Sequence, residues 1–118
     1  MEACMGDDII YVNVEDGLNR VLKNTKLYSN LLAKFKNYTQ VEEIEAAFAE
    51  NDMEKACNSA HTLKGLAANL SLTELFKQVV ELELQLKAGQ KNADQLALIK
   101  KVFAQTIIEV DKVIAQYA

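Results

Sequence analysis

His61, Lys64 and Gly65 are the residues of this 118-residue chain whose types and spacing suit chemistry, and His61 is its only histidine. They lie in Ala60-His61-Thr62-Leu63-Lys64-Gly65-Leu66-Ala67-Ala68-Asn69-Leu70. A neutral imidazole is a nucleophile near pH 7, and a phosphoryl group placed on its nitrogen stays reactive enough to be passed on. Transfer requires cancellation of charge on the phosphoryl oxygens, which a lysine one helical turn away can supply. Glycine in mid-helix costs about 1 kcal/mol relative to alanine, so Gly65 calls for a reason. A missing side chain beside His61 would let a partner's active site close over the ring.

That patch needs a rigid helix beneath it. Met53, Ala56, Ala60, Leu63, Ala67 and Leu70 recur at three- and four-residue steps and form one apolar stripe. His61, Lys64, Gly65 and Ala68 recur at the same steps on a neighbouring face that borders solvent. Asp52 suits the N-cap of this helix, which runs to about Leu70.

The other elements follow from the same period. Asn13, with Glu15 and Asp16 after it, starts a short helix whose apolar face is Leu18, Val21 and Leu22. Thr25 is the expected N-cap of a longer helix reaching about Glu50, with a bend near Thr39-Gln40. Ser71-Leu72-Thr73-Glu74 reads as a capping box opening a further helix, with Leu72, Leu75, Val79, Leu82 and Leu86 inward and Gly89 at its left-handed end. Asn92-Ala93-Asp94-Gln95 repeats the box for the last helix, whose inward residues run from Leu96 and Ile99 to Ile114 and Tyr117. The expected fold is all-α: an antiparallel four-helix bundle with an additional short N-terminal helix.

Composition agrees and excludes other classes. The chain is 50% hydrophobic and 25% charged, with no Pro or Trp, which suits one helical domain over residues 1–118, with residues 1–10 a loosely ordered tail. A net charge of −4 and a single arginine, Arg20, argue against nucleic acid, which needs a concentrated basic face. No apolar run approaches the roughly 18 to 20 residues of a membrane span, and Met1 to Asp8 does not resemble a signal peptide. A cytoplasmic setting is expected, with Cys4 and Cys57 as free thiols. Cys57 and His61, four apart, do not make up the four ligands of a closed zinc site, so no metal is expected.

The stretch from Ala60 to Leu70 resembles the signature of histidine-containing phosphotransfer (HPt) domains of multistep two-component signalling, almost residue for residue. Gly17-Leu18, Leu27-Tyr28, Leu31-Leu32 and Phe35 extend the resemblance to that family's first two helices, and Ser71 departs from it where the family usually has glycine. The resemblance implies a cytoplasmic phosphocarrier without kinase activity. His61 would accept a phosphoryl group from the aspartyl phosphate of a receiver domain and pass it to another receiver. It implies no cofactor in this chain, since the receiver brings Mg²⁺. The implied partners are response-regulator receiver domains and a hybrid sensor histidine kinase, met by a monomer through a small transient contact rimmed by the first two helices. The chain agrees in having no P-loop and no glycine-rich nucleotide loop. The competing readings are a non-catalytic helical adaptor that binds partners through an apolar groove, and a true enzyme such as a phosphohistidine phosphatase.

One more residue joins the candidates. From the turn at Ser71, His61 lies ten residues back and Glu83 twelve forward, so on antiparallel helices rising about 1.5 Å per residue they stand at similar heights. HPt domains and the phosphoacceptor domains of chemotaxis kinases look similar here, often with a Glu or Gln at this spacing beside the histidine. Glu83 would accept the Nδ1 proton of His61 and leave Nε2 as the nucleophile. The alternative is a surface glutamate paired with Lys87, four residues on.

Overall fold

The computed structural model describes residues 9–117, so of the tail expected over residues 1–10 the first eight, with Cys4, lie outside the described residues. Ile9 and Ile10 are exposed, and the Ile10 carbonyl accepts from the Glu74 N–H at 3.1 Å. Six helices follow in order: α1 (Val14–Arg20), α2 (Thr25–Phe35), α3 (Gln40–Ala49), α4 (Met53–Asn69), α5 (Thr73–Lys87) and α6 (Ala93–Tyr117). Helix α3 packs on α4, α4 on α5, α5 on α6, and α2 on α6. The result is an antiparallel helical bundle with the short α1 beside α2, and no strand occurs among the described residues. None of these helices is long and apolar enough to cross a membrane.

The stripes read from the sequence for α4 and α5 are the ones that pack, whereas Leu22, expected on the inner face of the first helix, lies past the end of α1 with φ 55° and is 92% exposed, leaving Leu18 and Val21 against the core. Ala56, Ala60, Leu63 and Ala67 of α4 meet Leu75, Val79, Leu82 and Leu86 of α5 in one buried cluster with Ile44, Ile99 and Val110. Burying each large aliphatic side chain contributes about 1.5–3 kcal/mol, which holds α4 and its polar face in register with α5.

The single helix expected over residues 25–50 is instead two. Asn24 caps α2 in place of Thr25, its side chain accepting from the Leu27 N–H. After Phe35 the chain tightens, with Asn37 and Tyr38 N–H groups bonding three residues back to Lys34 and Phe35. Asn37, Tyr38 and Thr39 are weak helix formers, and the corner lets the Tyr38 ring meet Phe35 edge-on at 5.8 Å while Phe35 packs on Phe103 at 5.3 Å.

Three helices end alike. Asn51, Ser71 and Gly89 follow α3, α4 and α5 in the left-handed conformation, with φ of 59°, 58° and 80°. In each case the next residue's N–H reaches back five residues, from Asp52 to Ala47, Leu72 to Ala67, and Gln90 to Gln85, which is a Schellman closure. Ser71 is therefore the end of α4, not the capping box expected to start α5. Leu72 holds the N-cap position and makes no side-chain cap, and the Glu74 carboxylate accepts from Gln78 instead. Asn92 does accept from the Gln95 N–H at 3.1 Å, but the Gln95 side chain turns away to Gln78, so half of that box forms.

A serine at a left-handed position is strained by about 1 kcal/mol, and two contacts hold it there. Its hydroxyl donates to Asp16, and its carbonyl accepts from the Asn13 N–H. Both come from the start of α1. Asp16 also accepts from Arg20, and the Ser71 hydroxyl, followed by Arg20, holds the Asp16 carboxyl below its usual range. Next to it, buried Gly17 lies against the Tyr28 ring, whose hydroxyl donates to the Leu70 carbonyl at 2.9 Å. Burial pushes the Tyr28 phenol up to about 12, so it stays a neutral donor. Short α1 is thereby anchored to the end of α4.

Candidate functional site

His61 and Lys64 sit one turn apart on α4, and Glu83 faces them from α5. The His61 side chain is 69% exposed, whereas the Glu83 side chain is 6% exposed. His61 Nδ1 lies 2.9 Å from Glu83 Oε2, and Lys64 Nζ lies 2.6 Å from the other oxygen, Oε1. Lys87 Nζ, one turn along α5, stands 3.5 Å from Oε2. Both pairings weighed for Glu83, with His61 and with Lys87, are therefore present.

Burial disfavours the charged form of this carboxyl, and its cationic neighbours reverse that. Burial alone pushes Glu83 up, but hydrogen bonds from Lys64 and His61 and the charges of Lys64 and Lys87 outweigh it and lower the carboxyl from 4.5 to about 2. An ionised carboxylate accepts hydrogen bonds and donates none, so the short contact requires the proton on Nδ1. In the neutral ring that tautomer puts the lone pair on Nε2, and the side chain that carries it is exposed.

Lys64 departs from its expected setting. Its side chain is only 29% exposed, and its ammonium is engaged by Glu83. The helical period placed Lys64 beside His61, but no local pattern reports that an ammonium will turn across to a neighbouring helix. The Glu83–Lys87 contact had a signal in its four-residue spacing.

Gly65 is exposed, and a Cβ built on it would meet nothing within 4 Å. The fold itself thus makes no demand for glycine there. Two shallow clefts flank the far end of α4, one bounded by Val21, Leu31, Leu66 and Leu70 and one by Asp16, Arg20, Ala68 and Phe76. His61 lines neither. Its ring stands on open surface, which suits a group that another protein must reach. Among the described residues no cluster of three or more His, Cys, Asp or Glu is arranged to hold a metal ion.

The family model described as Hpt domain matches residues 36–116, which span α3 to α6 and include His61, Lys64, Gly65 and Glu83. Neither a curated protein nor a solved structure matches the chain.

Proposed function

Since this chain belongs to the Hpt domain family, whose members carry phosphoryl groups on histidine in two-component phosphorelays, we propose that His61 is its phosphoacceptor. The observation that carries this reading is the division of labour on the ring: Nδ1 is held by buried Glu83 at 2.9 Å while the rest of the side chain is open to solvent. The donor is the aspartyl phosphate of a receiver domain. The Nε2 lone pair forms the N–P bond as the bond from phosphorus to the aspartate oxygen breaks, and its electron pair returns to the carboxylate. The Nδ1 proton stays in place. Positive charge then develops on the ring, and the Glu83 carboxylate lies against it.

Lys64 neutralises the phosphoryl oxygens during transfer, and bare Gly65 lets the receiver close over His61. The reverse displacement, by the aspartate of a second receiver, discharges the chain. Mg²⁺ in this scheme belongs to the receiver's own aspartate site, and the flanks of α1 and α2 form the rim of the contact. The test uses a receiver domain charged with acetyl phosphate. The parent chain should gain acid-labile, base-stable phosphate, and His61→Gln, which keeps a polar side chain of similar size, should gain none while keeping its helical content. Equal incorporation in both would overturn the reading.

A further inference from the structure

The unphosphorylated site carries a conflict that its geometry also resolves. Lys64 is needed by the phosphoryl oxygens, yet its ammonium is bound to Glu83 Oε1 at 2.6 Å. For Lys64 to swing outward, a carboxylate that is 6% exposed must give up its closest cation. Removing one partner from a buried pair is costly when the charge left behind has no other. Glu83 does have another. Lys87 is 3.5 Å from Oε2, reaches it from the same helix one turn on, and its side chain is 60% exposed and so free to close in.

We propose that Lys64 is a two-position side chain, docked on Glu83 in the resting state and on the phosphoryl group during transfer, and that Lys87 is the positioning residue that makes the exchange feasible. Lys87 is the standing counter-charge of Glu83. When Lys64 leaves, Lys87 and the His61 N–H remain on the carboxylate, which stays ionised and keeps Nε2 free for bond formation. Without Lys87, Glu83 would hold Lys64 more firmly because nothing else with a full charge could replace it. This inference rests on the phosphoacceptor reading of His61. It goes beyond that reading in assigning the resting position of Lys64 and a role to a residue that need not touch the phosphoryl group.

A double-substitution cycle tests it, with phosphoramidate as the donor so that no receiver contact is involved. The rate of His61 phosphorylation is followed by ³¹P NMR in the parent chain, Lys87→Met, Lys87→Arg, Lys64→Ala and the Lys64→Ala/Lys87→Met pair. Lys77→Met is the control for net charge, since exposed Lys77 is not among the cations paired with Glu83. Lys87→Met should slow phosphorylation about threefold or more, in keeping with a partly exposed charge pair, while Lys87→Arg and Lys77→Met stay near the parent rate. In the Lys64→Ala background, where nothing has to be released, Lys87→Met should change the rate by less than about twofold. The same slowing in both backgrounds, or no slowing in a parent chain that is readily phosphorylated, would overturn the counter-charge role. A parent chain that takes no phosphate on His61 would overturn the phosphoacceptor reading itself, and the inference with it.

Discussion

The ammonium of Lys64 and the carboxylate of Glu83 form an interhelical ion pair of 2.6 Å in which the carboxylate is almost entirely out of water. The pair ties α4 to α5 beside the exposed imidazole, so the electrostatics of the site are set by one buried anion and the cations that gather on it.

Substitution of Lys64 by alanine should therefore have two effects. Phosphoryl transfer should slow by about tenfold or more, because a cation aimed at developing charge is lost. Stability should fall by about 1 kcal/mol rather than collapse, since Lys87 and His61 still face Glu83. Stopped transfer assays and urea unfolding read the two effects separately. An unchanged transfer rate would leave Lys64 with a purely structural role.

The tautomer of His61 should depend on Glu83 and not on its neighbour two residues away. Glu81 is exposed and accepts from Gln85 at 3.0 Å on another part of α5. Imidazole ¹⁵N shifts at neutral pH should report the Nδ1–H form in the parent chain and in Glu81→Ala, and a mixture shifted toward Nε2–H in Glu83→Ala. The same response to both substitutions would sink the orienting role of Glu83.

The depressed Glu83 carboxyl makes stability depend on pH in a defined window. Its folded value of about 2 lies below the ordinary 4.5, so the native state binds fewer protons there than the unfolded chain. The associated stabilisation is complete above about pH 4.5 and is lost as pH falls toward 2, and it amounts to on the order of 3 kcal/mol. Urea midpoints measured from pH 6 down to pH 2 should fall less steeply in Glu83→Gln than in the parent. Parallel curves would place the acid sensitivity elsewhere.

Two helical glycines should respond in opposite ways to a larger side chain. At Gly17 an added Cβ would stand 2.5 Å from Cζ of the fully buried Tyr28 ring, so Gly17→Ala should destabilise by about 1–3 kcal/mol. At Gly65 it would meet nothing, so Gly65→Leu should leave stability equal or raise it by up to about 1 kcal/mol while weakening receiver docking and transfer. Thermal unfolding and transfer rates on both variants check the pair. Full transfer by Gly65→Leu would remove the case for access.

By itself the sequence determined what depends on local spacing. Three- and four-residue steps placed His61, Lys64 and Gly65 on one flank of one helix, and the stripes of α4, α5 and α6 named most of the core. Counting rise from the turn at Ser71 even set Glu83 opposite His61, because two antiparallel helices leaving one tight turn keep equal heights. Where local signals competed, they failed. Ser71 and Glu74 have the spacing of a capping box, but Ser71 ends α4 in the left-handed conformation and its hydroxyl goes to Asp16, 55 residues earlier. The apolar period runs on through residues 36–39, yet Phe35, Tyr38 and Phe103 pack at a corner there and break the helix. Only the tertiary structure decided that Lys64 rests on Glu83, with Lys87 behind it. A lysine's ammonium sits at the end of a flexible stem, so its partner is chosen by whichever charge the neighbouring helix leaves within reach and out of water, which spacing along one helix does not encode.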